Sequence, residues 1–175
     1  MSRRCRSVGL PSTDIVLFTK IAEGGSYRIF EATFRDGLKV IARLPYPSTI
    51  PRKYGVASEV ATMKFLRLHG VPIPKVFDWS SSPSNKVGSE YIVMERVQGR
   101  ALADTWYTMT FEERMAVIEK IVDVEMVLFG VQFPASGSLF FKDSLNAKVK
   151  NVDMAENNNL KDIGRFCIGP STEYL

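Results

Sequence analysis

The first hundred residues alternate apolar and polar side chains in short runs, separated by turns rich in glycine, proline and serine. Alternation with a period of two is typical of half-buried strands, whereas one longer segment repeats its apolar residues at helical spacing. The pattern predicts five strands and one helix, which lies between the third and fourth strands. The strands are Ile21–Ala22 (with Ile15–Ile21 leading into it as a strand or a short helix), Tyr27–Phe34, Leu38–Leu44, Lys75–Trp79 and Glu90–Val97, and the helix is Ala57–Leu68.

Two glycine turns connect the first three of these strands, which are therefore expected to form consecutive antiparallel hairpins. Glu23-Gly24-Gly25-Ser26 joins the first strand to the second, and Asp36-Gly37 joins the second to the third. Gly70 is expected to end the helix, because glycine readily adopts the left-handed conformation that closes many helices. The predicted fold class is α+β, with a five-stranded antiparallel sheet and one helix.

The second part of the chain is helical first and irregular later. Thr110-Phe111-Glu112-Glu113 has the form of a capping box, and apolar residues continue at helical spacing to Phe129. The apolar face of this helix is wide and must pack on something. Ser138–Phe141 is expected to be a short strand, residues 142–161 a polar loop or insertion, and Phe166–Leu175 the beginning of another element.

Composition and charge argue against several classes of function. The net charge is +4, and three of the positive charges are Arg3, Arg4 and Arg6. Elsewhere lysine and arginine are mixed with acidic residues, so no basic stripe predicts binding to nucleic acid. No apolar run approaches the length of a membrane span. Cys5, Cys167 and the single histidine lack the spacing of a metal site.

The first thirteen residues carry three arginines, several hydroxyl side chains and no acidic residue. This composition is typical of a short mitochondrial transit peptide, although an irregular N-terminus explains it equally well. Mitochondrial localisation is therefore one expectation for the chain, and cytoplasmic localisation is the alternative.

Four residues together have the chemistry of a phosphate-binding cradle. Gly24 and Gly25 lack side chains, so their backbone N–H groups can approach phosphate oxygens. Arg43 on the third strand supplies a fixed cation, and Glu59, at the start of the helix, is expected to hold the guanidinium. Each feature also has a structural interpretation, because glycine pairs are common in hairpin turns and many Arg–Glu pairs contribute little to stability. Their order and spacing match the glycine-rich loop, strand-three cation and helix glutamate of kinases.

Six motifs in order resemble the family that includes aminoglycoside phosphotransferases and choline kinase. They are EGGSYRIF, VIARLP, SEVATMKFL, VPIPKVFDW, EYIVMERVQG and FCIGPSTEYL, and the similarity extends from about Lys20 to Leu175. Within that family the chain most resembles the fungal kinase-like proteins called altered inheritance of mitochondria. The resemblance implies a protein-kinase-like N-lobe, followed by the start of a helical C-lobe.

The resemblance also implies a binding site for ATP and a role for each residue in it. Gly24, Gly25 and Ser26 would belong to the loop that covers the nucleotide. Arg43 would hold the α- and β-phosphates, and Glu59 would be the partner of Arg43. Ala42 would lie over the adenine. Met94 would be the gatekeeper, and Glu95 and Val97 would form the hinge whose backbone binds the adenine edge.

The chain departs from the family pattern in its catalytic chemistry. Phosphoryl transfer requires a His-x-Asp-x-x-x-x-Asn segment and a later acidic metal ligand, and no such segment occurs in the 175 residues. His69 precedes a glycine but then a valine, and is interpreted as a helix-end histidine. Asp153 and Asn158 have the Asp-x-x-x-x-Asn spacing, and Asp162-Ile163-Gly164 resembles a metal-binding motif. Both are rejected as catalytic motifs because they lie in a polar loop. They are also too close together in sequence for a pair of strands to lie between them. The strand-three cation is arginine instead of the usual lysine, and this exchange is not neutral.

These observations predict three regions: a basic tip (residues 1–13), an N-lobe (14–97), and a hinge with an incomplete C-lobe (98–175). The chain is expected to be the nucleotide-binding half of a phosphotransferase that is truncated and inactive by itself. No catalytic or metal-binding residue is predicted, and Mg²⁺ would need residues that the chain lacks. A full-length parent would act on the hydroxyl group of a small molecule. The alternatives are a mitochondrial pseudokinase-like binding or structural protein, and a truncated gene product without a role.

Overall fold

The structure is a computed structural model that describes residues 14–49, 53–154 and 162–173. Its main sheet has five antiparallel strands in the spatial order β1-β2-β3-β5-β4. The predicted five-stranded sheet is therefore confirmed. The strands are β1 (Ile15–Glu23), β2 (Tyr27–Phe34), β3 (Lys39–Pro45), β4 (Val76–Ser80) and β5 (Tyr91–Glu95).

The segment at Ile15–Ile21, for which the sequence allowed a strand or a helix, is part of β1. This strand lies at the edge of the sheet and pairs with β2, and its register shifts between Ile15 and Leu17 and again between Lys20 and Ala22. Such irregularities make it harder for a strand of another chain to pair with an exposed edge strand. Phe18 of β1 stacks on Phe30 of β2, with ring centroids 5.3 Å apart.

The turn at Asp36-Gly37 forms as predicted. The Leu38 N–H donates a hydrogen bond to the Asp36 carboxylate at 2.9 Å, and Gly37 has a positive φ of 86°. Aspartate accepts a hydrogen bond from the backbone two residues later, and glycine tolerates the left-handed conformation, so this dipeptide favours a tight turn.

The helix α1 (Tyr54–Leu68) begins three residues before the predicted start at Ala57 and ends at the predicted residue. The apolar pattern alone could not show where α1 starts, because the start depends on the backbone conformation of the residue before the helix and not on apolar spacing. Lys53 precedes the helix with a positive φ of 66°. At the other end, His69 is the C-cap and Gly70 follows with a φ of 83°, which confirms His69 as a helix-end histidine.

The helix α1 packs on one face of the main sheet. Val60 and Phe65 of the helix are 0% and 1% exposed, and they belong to one buried cluster with Ile92 and Met94 of β5. The opposite face of the sheet has its own smaller cluster, formed by Ala32, Phe34 and Val40. Val40 of β3 belongs to the smaller cluster, and the next residue, Ile41, packs on the cluster under α1. Successive residues of β3 therefore point to opposite sides of the sheet, as a period of two requires.

A second, three-stranded antiparallel sheet packs on the other side of α1. Its strands are β6 (Ser138–Phe141), β7 (Val152–Asp153) and β8 (Phe166–Gly169), in the order β6-β8-β7. The strand at Ser138–Phe141 was predicted, whereas β7 falls in the segment predicted as a loop. A strand of two residues carries too little sequence pattern to be recognised. Gly137 is required here, because a Cβ would lie 2.2 Å from the Gly169 carbonyl oxygen.

The two sheets share a core with α1 between them. Leu139, Phe141, Phe166 and Ile168 of the second sheet belong to the same buried cluster as Phe65 of α1. The proposed boundary between an N-lobe and a C-lobe at residues 97 and 98 stays a prediction, and this core joins residues from both sides of it.

The chain between the two sheets forms α2 (Leu102–Thr105) and α3 (Phe111–Phe129). The predicted capping box at the start of α3 is confirmed: the Thr110 N–H donates to the Glu113 carboxylate, and the Glu113 N–H donates to the Thr110 hydroxyl. None of the residues of α3 is buried, and most of its large apolar side chains, Phe129 at 84% among them, are exposed. In the described ranges, no helix has the length and apolar content needed to cross a membrane. The predictions for residues 1–13 and for Asn158 lie outside the described residues.

Candidate functional site

The strand-three arginine and the helix glutamate contact each other as the sequence predicted. The Arg43 guanidinium donates a hydrogen bond to Glu59 Oε1, and the two side chains are 27% and 24% exposed. Both residues face the space between the sheet and α1, because Arg43 pairs across the sheet with Ile92, a member of the core cluster under the helix. The ion pair is therefore partly withdrawn from water, but the guanidinium still has an accessible edge.

Tyr27 is a third member of this group, and it is not among the residues predicted from the sequence. The Arg43 guanidinium carbon lies 3.9 Å from the centre of the Tyr27 ring. Ile29 is the direct partner of Arg43 in the hairpin, so Tyr27, two residues before it, lies diagonally across from Arg43 on the same face. This hairpin register was a usable signal, because it places the two side chains within reach of one another.

The predicted covering loop forms the turn between β1 and β2. The Gly24 N–H donates to the Tyr27 carbonyl at 3.0 Å, and the Ser26 carbonyl accepts hydrogen bonds from the Tyr46 N–H and the Thr49 hydroxyl. Ser26 thus fastens the turn to the segment that follows β3. A Cβ added to Gly24 or Gly25 would meet no atom within 4 Å, and neither glycine has a left-handed φ. Neither packing nor backbone conformation within the described residues requires glycine at these positions.

A cleft of about 320 Å³ opens beside this turn. Ser26 and Tyr27 line one side of it, and Gly55 and Val56, in the first turn of α1, line another. Serine, threonine and tyrosine hydroxyls and the Glu90 carboxylate provide its polar groups. Neither Arg43 nor the predicted hinge lines this cleft.

Ala42 does not share a face with Arg43. It pairs with Phe30 and Val93, and Val93 packs on the cluster of Phe34 and Val40, on the side of the sheet opposite to α1. The residue of β3 that shares a face with Arg43 is Ile41, which packs on the cluster under the helix. The structure therefore places Ala42 away from the Arg43–Glu59 pair.

The predicted gatekeeper and hinge lie at the end of β5. Met94 is 9% exposed and packs in the core under α1, on the same face as Arg43. Glu95 is bound to Lys75 through two hydrogen bonds: its N–H donates to the Lys75 carbonyl, and its carboxylate accepts from the Lys75 N–H. Val97 is 53% exposed, and its carbonyl accepts a hydrogen bond from the Arg96 guanidinium.

Electrostatic contacts connect this hinge to the sheet. The Glu31 carboxylate on β2 accepts a hydrogen bond from Lys39 at 3.1 Å and one from Arg96 at 2.9 Å. These two cations, Lys39 first, hold the pKa of Glu31 below its usual value of 4.5. The segment at Glu95–Val97 is thus tied to β2 by the Arg96 side chain and to β3 by the backbone pairing of Glu95 with Val40.

Two acidic residues, Asp153 and Asp162, belong to the motifs that were rejected as metal sites, and each lies near a cationic side chain. Asp153 lies in β7 and forms an ion pair with Lys142 at 2.9 Å, whereas Asp162 is exposed and lies 4.0 Å from Arg165. Ile163, between the aspartate and the glycine of the second motif, is buried in the core. Among the described residues, no group of three or more His, Cys, Asp or Glu side chains could hold a metal ion.

Comparison with known proteins identifies the family to which these elements belong. Residues 18–153 match the phosphotransferase enzyme family. This match includes the β1–β2 turn, the Arg43–Glu59 pair and the hinge.

Fungal proteins are similar to this chain over most of its length. A subtelomeric hrmA-associated cluster protein of Aspergillus fumigatus is 44% identical over 152 residues, which cover 86% of this chain and 28% of that protein. Two proteins named altered inheritance of mitochondria protein 9, mitochondrial, are 31% identical in Yarrowia lipolytica and 33% identical in Clavispora lusitaniae. They are matched over 91% and 96% of this chain, and over 30% and 29% of their own lengths.

The chain thus spans less than a third of the length of these curated relatives. The part that it spans carries the five-stranded antiparallel sheet, the helix and the Arg–Glu pair expected of a kinase-like N-lobe. On these grounds the chain belongs to the phosphotransferase enzyme family and has its kinase-like α+β fold.

Proposed function

We propose that this chain binds ATP, with the phosphates at Arg43 beneath the β1–β2 turn and the adenine at the segment Glu95–Val97. The observation that carries this proposal is the ion pair between Arg43 and Glu59, on the strand and the helix where the family holds the nucleotide phosphates. The guanidinium is only partly covered, so a phosphate oxygen can reach its remaining N–H groups. Arginine binds phosphate through two parallel hydrogen bonds, and Glu59 fixes the direction in which those groups point.

The glycine turn supports the same proposal. A Cβ at residue 24 or 25 would meet no atom of the described chain within 4 Å, so the surface of this turn is open to a ligand. Open space above the backbone lets phosphate oxygens approach the turn closely, although the Gly24 N–H itself donates to the Tyr27 carbonyl. ATP would supply the phosphoryl group of a transfer reaction, while this chain would contribute binding and orientation.

The proposal does not include phosphoryl transfer by this chain alone. No His-x-Asp-x-x-x-x-Asn segment occurs among its residues, and the described residues hold no cluster of carboxylates for Mg²⁺. In this proposal the described residues supply groups for the nucleotide, and the metal that phosphoryl transfer in this family uses would need residues beyond them. In a full-length relative, transfer to the hydroxyl group of a small molecule would need residues outside this chain.

A thermal-shift titration with ATP tests the proposal. ATP is expected to raise the melting temperature of the parent chain, and Arg43→Met and Glu59→Ala are expected to reduce the shift strongly. Glu119→Ala is the matched control, because Glu119 is an exposed glutamate on α3, far in sequence from the site. If ATP stabilises the Arg43→Met variant as much as the parent, the proposed phosphate site is wrong. Mg²⁺-dependent ATP turnover by the parent, lost in Arg43→Met, would contradict the proposed lack of transfer.

A second candidate is a mitochondrial pseudokinase-like protein with a binding or structural role. The observation that favours it is the name of several relatives, which describes them as mitochondrial. Absence of any ATP-induced shift in parent and variants alike would favour the structural role. Imaging of the chain with a C-terminal fluorescent tag, with and without residues 1–13, would decide between mitochondrial and cytoplasmic localisation.

A further inference from the structure

A second cleft, of about 310 Å³, lies at the C-terminal end of α1, where the helix meets β4 and the second sheet. Its rim carries four cationic side chains: Lys64, Arg67, Lys75 and Arg165. Among the described residues, Asp162 is the single carboxylate that lines it, and it lies 4.0 Å from Arg165 with both side chains more than half exposed. A contact of this length between exposed groups neutralises little charge.

Two of these cations converge on one aromatic ring. The Lys64 Nζ lies 5.7 Å and the Arg165 guanidinium carbon 5.6 Å from the centre of the Phe141 ring. An aromatic ring attracts each cation, but it does not remove the repulsion between them. Burial in the first place, and the charge of Arg165 in the second, lower the pKa of Lys64. The ammonium group thus lies where its charge is disfavoured.

Among the described residues, carboxylates near Lys64 offset the positive charge of its ammonium group only weakly. Within the described part of the chain, no carboxylate lies within ion-pair distance of its Nζ. Asp78 acts on it from a longer distance and is already bound to the Tyr91 hydroxyl and the Trp79 N–H. A partly buried ammonium group that faces a like charge and has no carboxylate within ion-pair distance is costly to folding, and such arrangements are concentrated at binding sites.

The floor of the cleft is apolar. Leu68, Val76 and Phe166 line it together with the Phe141 ring. A small inorganic anion would satisfy the cationic rim and leave this floor uncovered, whereas an anion with an apolar substituent would use both surfaces.

We propose that this cleft binds an organic phosphate monoester, with the phosphate on the rim at Lys64 and Arg165 and the organic group on the Phe141 floor. The cleft shares no lining residue with the Arg43–Glu59 pair, so this second site does not depend on the proposed ATP site. Phosphate is favoured because it accepts several charge-assisted hydrogen bonds at once from ammonium and guanidinium groups.

Titration of the ¹⁵N-labelled chain with phenyl phosphate, followed by NMR, tests the proposal. Saturable shifts are expected at the backbone amides of Phe141 and Arg165. Lys64→Met and Arg165→Met are each expected to weaken binding about tenfold, while the controls Lys148→Met and Arg100→Met, at exposed positions, leave it unchanged. Inorganic phosphate is expected to bind more weakly than phenyl phosphate. Equal affinity of the Lys64→Met variant, or equal binding of the two ligands, would overturn the proposal.

Two further measurements distinguish this site from a purely structural cation and from the ATP site. Without ligand, Lys64→Met is expected to raise the melting temperature, because it removes a repelled charge; a lower melting temperature would show a structural cation and overturn the proposal. Arg43→Met is expected to bind phenyl phosphate as the parent does. Loss of phenyl phosphate binding in Arg43→Met would show that the ligand binds at the ATP site, and this result would also overturn the proposal of a second site.

Discussion

The Arg43 guanidinium lies over the ring of Tyr27, 3.9 Å from its centre, and donates at the same time to Glu59. Kinases more often carry a lysine on this strand, and the stacking explains how an arginine is accommodated here. A planar guanidinium stacks on an aromatic face, whereas a compact ammonium group does so less well. Tyr27 and Glu59 together fix the plane and the direction of the cation.

The first prediction concerns this stacking. Tyr27→Leu is expected to reduce the ATP-induced thermal shift, because the guanidinium loses one of its two constraints. Tyr27→Phe keeps the ring and should restore most of the shift. Arg43→Lys should reduce the ATP-induced thermal shift when Tyr27 is present. The same substitution should reduce the shift less in a chain that already carries Tyr27→Leu. A shift that Tyr27→Leu leaves intact would show that the ring does not position Arg43.

The second prediction concerns the core shared by the two sheets. Phe65 is 1% exposed and contacts Phe166 edge to face, with centroids 5.4 Å apart. Phe65→Ala is expected to lower the free energy of unfolding by about 3–5 kcal/mol, through lost apolar burial and the cavity left behind. Urea denaturation, followed by Trp fluorescence, measures this change.

Phe129→Ala is the matched control for that experiment. Phe129 is 84% exposed on α3, so its removal should change the free energy of unfolding by less than about 0.5 kcal/mol. A loss at Phe129 as large as the loss at Phe65 would mean that α3 is packed in solution. A negligible loss at Phe65 would contradict the shared core.

The third prediction uses Cys167 as a reporter for the second sheet. This residue is 0% exposed in β8, and burial, reinforced by the charge of Asp153, raises the pKa of its thiol. Since the thiolate is the reactive form, the native protein should resist alkylation at this site. In a Cys5→Ser background, labelling should rise with urea in step with the Trp fluorescence. Labelling complete before the fluorescence transition would show that the second sheet unfolds separately.

The fourth prediction concerns the pH dependence of the contacts at the hinge. Because Lys39 and Arg96 lower the pKa of Glu31 below 4.5, these contacts stabilise the fold above that pH. The stabilisation should be lost as the pH falls through the pKa of the folded state. An NMR titration of the Glu31 carboxyl measures this pKa directly, and Lys39→Met should move it upward. Lys86→Met, at an exposed position, serves as the control. A pKa of Glu31 at or above 4.5 in the parent would contradict the contacts.

Much of the main sheet could be predicted from the sequence, because its signals are local. Alternating side chains identified its five strands, with the first left as a strand or a short helix over Ile15–Ile21, and the Asp36-Gly37 turn identified the hairpin between the second and third strands. The Arg43–Glu59 contact could also be predicted, since the order of strand, loop and helix limits what a strand-three cation can reach. The capping box of α3 is likewise a contact between residues three apart.

The remaining features depend on contacts between distant parts of the chain. The packing of β8 on α1, the convergence of Lys64 and Arg165 on Phe141, and the position of Ala42 on the far face of β3 are fixed by packing and by strand register. The sequence by itself determined most of the elements, the family and a cation with its carboxylate partner, because each depends on neighbouring residues or on ordered motifs. Only the tertiary structure decided which ring covers that cation and which like charges approach each other, because burial and long-range proximity arise when the sheets close on α1.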